Sequence, residues 1–137
     1  MNKKIIILIL FFLSFNFSSY SATFNWTKVN QSNDETFELY YDKKTVLSTG
    51  RYFFYWQLLN YKKKQDNNIL SLITHNMVNC ETSEIKVISY TDFKDNMGKG
   101  SPDFEMIVPE VETESFQWTY YDTNTTIQGQ VIKSVCD

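Results

Sequence analysis

The sequence predicts an α+β fold, an antiparallel β-sheet of five to six strands with one C-terminal α-helix packed on one face. Three observations carry this. Successive segments between residues 24 and 111 alternate apolar and polar residues or are densely aromatic, and short polar turns separate them. After Thr125 the apolar period changes to that of a helix, with Ile127, Val131 and Val135 at i, i+4 and i+8. The chain has two cysteines, Cys80 at the end of a predicted strand and Cys136 at the end of the predicted helix.

The order along the chain begins with residues 1–21, which read as a signal peptide. Lys3 and Lys4 precede an apolar run from Ile5 to Phe17, and Ser19 and Ser21 stand at the −3 and −1 positions of a cleavage site. The run is short for a membrane-spanning helix. Residues 22–137 are then one exported domain with no second apolar stretch, and stable membrane insertion is not expected. Of the 13 basic residues, Lys3 and Lys4 fall in the leader; the remaining 11 face 16 acidic residues, a net charge near −5 that argues against nucleic acid as a partner.

Phe24 to Val29 reads as a first strand anchored by Trp26. Phe37 to Asp42 alternates, with Phe37, Leu39 and Tyr41 on one side. Lys43 to Gly50 connects, with a helical turn near Lys43–Val46, and Asp42 is placed to cap that turn. Arg51 to Tyr61 is a long aromatic strand, paired as a hairpin across Lys62–Asn68 with Ile69 to Asn79. Glu84 to Phe93 follows. Residues 94–103 hold Gly98, Gly100 and Pro102 and read as a loop, and Phe104 to Val111, broken by Pro109, reads as an edge strand. Thr125 and Gln128 have the spacing of a capping box for the helix.

The aromatic strand is apolar on both faces. Phe54 and Trp56 are the larger load and are assigned to the face under the helix. Phe53, Tyr55, Leu59 and Tyr61 then form the second face, continued on the next strand by Ile73, His75 and Met77. An exposed face of this composition marks an interaction surface. The competing readings are a cover from the N-terminal segment or residues 104–118, a curled sheet, or a homodimer contact. Phe53, Tyr55 and Tyr61, with Lys62, Lys63 and Lys64 of the adjoining turn, are the candidate partner contacts.

Two cysteines in an exported chain pair most simply as one disulfide; two free thiols or a share in a metal site are the alternatives. Catalysis is not expected. His75 is the single histidine, and Thr74-His75-Asn76 matches no hydrolase pattern. No cofactor or metal site is expected. Glu110, Glu112 and Glu114 alternate along a strand and read as a solvated edge.

ELYYD at 38–42, the G-x-x-x-x-x-W-x-L-x-x-Y stretch at 50–61, Cys80, Tyr90, Gly98, Gly100, Trp118 and the terminal VCD at 135–137 occur in an order that resembles the surface-adhesin protein E family of Gram-negative bacteria. The resemblance implies a sheet crossed by the C-terminal helix and a disulfide that maps onto Cys80 and Cys136. It also implies a dimeric outer-membrane adhesin that binds host extracellular-matrix or serum proteins. Two features depart from the family pattern. No cysteine near the cleavage site is placed to accept a lipid anchor, and Asp122–Thr125 stands where the family commonly has Pro-Gly. The reading is therefore a non-catalytic binding module at the outer membrane or cell surface. The alternative is a periplasmic protein that binds or inhibits another protein, or maintains the envelope, without host contact.

Overall fold

The structure, a computed structural model, describes residues 23–107 and 117–137. The predicted signal peptide at 1–21, Pro109 and the glutamates at 110, 112 and 114 lie outside the described residues.

Eight strands among the described residues form one antiparallel sheet: β1 (Trp26–Gln31), β2 (Phe37–Asp42), β3 (Leu47–Thr49), β4 (Tyr52–Tyr61), β5 (Ser71–Asn79), β6 (Glu84–Phe93), β7 (Pro102–Ile107) and β8 (Thr119–Tyr120). The order is β1-β2-β4-β5-β6-β7, with β3 on the edge of β4 beyond β2 and β8 pairing with β6. The helix, α1, runs from Ile127 to Cys136. The antiparallel sheet and C-terminal helix are those the sequence predicts. The short strands β3 and β8 are additions, too brief to show any alternation.

Local chemistry places the turns. Asp42 is buried, and its carboxylate accepts from the backbone N–H of Lys44 at 3.0 Å and of Asn25 at 3.0 Å. One side chain thus caps the 3-10 turn Lys43–Thr45 and holds the entry to β1. The β4–β5 hairpin turns through Asn67 and Asn68, both in the left-handed region, which asparagine tolerates better than most residues.

The face assignment of β4 is the reverse of the one expected from aromatic load. Tyr52 pairs with Asn79, Phe54 with Met77, Trp56 with His75 and Leu58 with Ile73, so these residues share a face. Phe53 pairs with Val78 and Tyr55 with Asn76 on the other face. Cys80 follows Val78 in the alternation, on the side of Phe53 and Tyr55. Its bond to Cys136 therefore draws α1 onto that side. Val131, Ile132 and Val135 of α1 close a core over Leu39, Tyr41, Tyr55, Val78 and Ile85, with Phe53 and Leu59 at its margin. Trp56 and Phe54 lie on the helix-free face.

The helix N-terminus is capped by Thr126, whose hydroxyl accepts from the Gly129 N–H at 2.9 Å; the predicted cap, Thr125, stands one residue too early. Gln128 is freed for a different task. Its side-chain amide donates to Gln57 Oε1 at 2.7 Å and to the Tyr55 hydroxyl at 3.2 Å. Tyr55 is fully buried, and burial pushes its phenol pKa upward. The amides of Gln57 and Gln128 satisfy its hydroxyl inside the core, where an unpaired one would be costly.

Candidate binding face and its relatives

The helix-free face is built by β4 and its neighbours. Tyr52, Phe54, Trp56 and Leu58 project from β4, and Met77, His75 and Ile73 stand opposite them on β5. Leu47 of β3 pairs with Phe54 from the other side. Leu58, Ile73 and Phe93 are buried, under Phe24, Trp26, Tyr40, Trp56 and Met97.

Two segments supply this cover. The first is the N-terminal segment, as one of the competing readings has it. Phe24 stacks on Trp26 at 4.6 Å between ring centroids and leans on Trp56 at 5.5 Å. The second is the 94–101 loop. Asn60 Oδ1 accepts from the Met97 N–H at 2.8 Å and from Asn96 Nδ2 at 3.0 Å, and Ser71 Oγ accepts from the Gly98 N–H at 2.9 Å. Gly98 has a φ of +64°, a conformation that favours glycine, and a Cβ there would also press on the end of the Ile73 side chain.

Trp118 stacks on Tyr52 at 5.7 Å at one end of the face, and among the described residues the stretch between these covers is open. Trp56 stacks on His75 with centroids 4.4 Å apart and planes 11° apart, and Phe54 lies 6.2 Å from the same imidazole. Phe54, Trp56, His75 and Met77 are half-buried, and Leu47 is 60% exposed. The result is an aromatic and methionine-bearing surface with one polar, titratable ring at its centre.

Burial lowers the His75 pKa below its ordinary value. The unfolded chain therefore takes up a proton more readily than the folded one. The associated stability is complete above about pH 6.5 and is lost as pH falls through the lowered folded value. Thermal unfolding followed from pH 7.5 to 5 is expected to show a falling midpoint, with a shallower fall in His75→Phe.

The sequence-predicted contacts do not gather on this face. Phe53 packs at the margin of the helix core and Tyr55 has no exposure, so Tyr55 is a core residue of the folded domain and not a contact. The reason is the reversed face assignment. Tyr61 is half-buried and meets Phe37 edge-on at 6.3 Å. Lys62, Lys63 and Lys64 are exposed and, with Asp34, Glu35, Thr36 and Gln65, line a cleft of about 420 Å³. Lys62 approaches Glu35 at 3.7 Å, an exposed pair of little energetic weight. The structure brings Tyr61 and the lysines together at the hairpin end and leaves Phe53 and Tyr55 elsewhere. His75 and Met77 lie on the open face as expected from the sequence, and Leu47, Phe54 and Trp56 are the surface residues that assignment by aromatic load misses. Their signal lies in pairing parity with His75.

Cys80 and Cys136 form the disulfide, with Cα atoms 5.8 Å apart. No group of three or more metal-ligating side chains occurs among the described residues. No described helix is long and apolar enough to cross a membrane.

A family model described as Surface-adhesin protein E matches residues 26–137. The chain belongs to the surface-adhesin protein E family. The match spans every strand described above and the helix. No curated protein is significantly similar in sequence. Among solved structures, crystal form II of Haemophilus influenzae protein E is similar at a TM-score of 0.54 and 10% identity, over 80% of this chain and 86% of that one. The Se-Met form of the same protein gives 0.54 and 10%, over 80% and 84%. At this identity the likeness is one of fold. Family membership makes the chain a binding module of the surface-adhesin class, an exported type of protein whose work is contact with other proteins.

Proposed function

We propose that residues 1–21 export this chain and that residues 22–137 act as a non-catalytic adhesin that engages a host extracellular-matrix or serum protein through the helix-free face. The observation that carries the reading is the open cluster of Leu47, Phe54, Trp56, His75 and Met77. Aromatic and methionine side chains are the residues that interface cores favour, and a rigid sheet presents them at little entropic cost. Lys62–Lys64 stand exposed at the hairpin end beside this face, where an acidic region of the partner would meet them, whereas Tyr61 shares the parity of Tyr55 and Leu59 and lies on the helix side. The outer face of the outer membrane is the location this function needs.

The experiment is binding of the purified domain to immobilised matrix and serum proteins. The pair Phe54→Ser, Met77→Ser is expected to weaken binding at least about tenfold, because central apolar contacts dominate such interfaces. Lys63→Ala should cost less, and its cost should shrink as ionic strength rises. Binding that is unchanged in the pair, in variants with unaltered melting, overturns the assignment of the face. Loss of a sedimenting dimer in the same pair would instead identify the occupant as a second copy of the chain.

A further inference from the structure

α1 covers β1, β2, β4 and the Val78 and Ile85 ends of β5 and β6, and it leaves the helix side of the other end of these two strands, from Leu72 to Thr74 and from Val87 to Asp92, uncovered by a helix. Two adjoining clefts lie there, of about 300 and 210 Å³, sharing Thr74 and Val87. Leu72 and Val87 form an apolar floor. At the inner end the cleft reaches Asn76 and the Gln57–Gln128 amide pair. At the outer end stands Asp92, flanked across the sheet by Leu72 on one side and by Phe104 on the other. Tyr90 lies two residues along the same face, its ring 5.8 Å from that of Phe104, which is 46% exposed.

The Asp92 side chain is half-buried, and its carboxylate accepts no hydrogen bond and forms no ion pair among the described residues. Lys94 is held by Asp103 at 2.7 Å. Burial and the charge of Asp103 push the Asp92 carboxyl upward, the condition of an anion without a counter-charge.

We propose that this groove seats a lysine or arginine side chain of a basic protein partner, its alkyl stem over Leu72 and Val87, its cation at Asp92 and against the Tyr90–Phe104 rings. The fit is chemical on three counts. Long basic side chains bury an apolar stem while keeping a charged tip. A half-desolvated carboxylate rewards a cation more than an exposed one does. Aromatic faces attract ammonium and guanidinium groups. The net negative charge of the predicted mature domain favours a basic partner over an acidic one. The groove is on the opposite side of the sheet from the helix-free face, so the two proposals stand or fall separately.

The test is an NMR titration of the domain with an acetylated tetralysine peptide and with its norleucine counterpart. The expected result is a shift of the Leu72 and Val87 methyl resonances with the lysine peptide alone. Asp92→Asn, an isosteric change, should weaken that binding at least about tenfold, whereas Asp66→Asn on the exposed hairpin should leave it unchanged. Shifts confined to residues outside the groove, equal loss in both variants, or equal binding of the norleucine peptide would each overturn the proposal. The methyl shifts are read in the unmodified protein, so the result does not depend on any variant folding.

Discussion

Replacing Cys80 and Cys136 together by serine is expected to cost about 4 kcal/mol of stability, the chain-entropy value for a loop of this length. The loss is large against the 5–15 kcal/mol typical of a whole domain. The disulfide holds the C-terminal end of α1 to the end of β5, and the helix is only ten residues long. Isolated helices of that length are marginal in water. Val131, Ile132 and Val135 supply the apolar cover of Tyr55 and Val78, so releasing the helix end opens the main core. Urea unfolding of the oxidised and double-serine proteins measures the difference. The variant should also bind a hydrophobic dye in mild denaturant before the sheet is lost. A midpoint within 1 kcal/mol of the oxidised protein, by the measured slope, would show that the apolar stripe alone docks the helix.

Gly129→Ala is expected to destabilise the fold by about 2 kcal/mol or more, against the usual gain of up to about 1 kcal/mol for alanine over glycine inside a helix. A Cβ at this position would lie 2.0 Å from the Asp122 carbonyl oxygen and 2.6 Å from Thr123 Cα, both backbone atoms. The turn cannot retreat cheaply. The Asp122 carbonyl accepts from the Thr126 N–H at 3.1 Å and from its hydroxyl at 2.7 Å, and the Asp122 carboxylate accepts from the Asn124 N–H at 2.8 Å. Calorimetry should show a melting temperature lower by roughly 6–12 °C. A higher one would mean that helix propensity governs the site and that the turn gives way. The glycine, a poor helix former, is the residue that lets the chain pass tightly into the helix.

These two sites also show which parts of the molecule the sequence discloses. The helix stripe at Ile127, Val131 and Val135 and the strands at 37–42, 51–61 and 84–93 are legible because their periods match the geometry that buries them. The turn at Asp42 is legible because a short acidic side chain beside two backbone N–H groups has few other uses. The face of β4 is not legible from side-chain bulk. It depends on the register of the β4–β5 hairpin, where the Tyr61 N–H meets the Leu70 carbonyl. A slip of one residue would exchange the faces, and that register is set by a loop with two left-handed asparagines. Parity with Cys80 carries the missing information: the helix must lie on the side of its own disulfide. The candidate surface follows the same logic. The hairpin lysines are identifiable by exposure-prone chemistry. Met77 is identifiable by its parity opposite Cys80, Phe54 requires the register, and Leu47 requires a three-residue strand.

Location tests the account most directly, because an adhesin must be reachable from outside the cell. Intact cells are treated with protease, and loss of the domain is followed by antibody, with a reduced, destabilised sample as the control for cleavability. The domain is expected to be labelled by antibody on whole cells and lost from them to protease. A domain that is protected until the outer membrane is opened would contradict the account, and would turn the open sheet face toward a partner inside the periplasm.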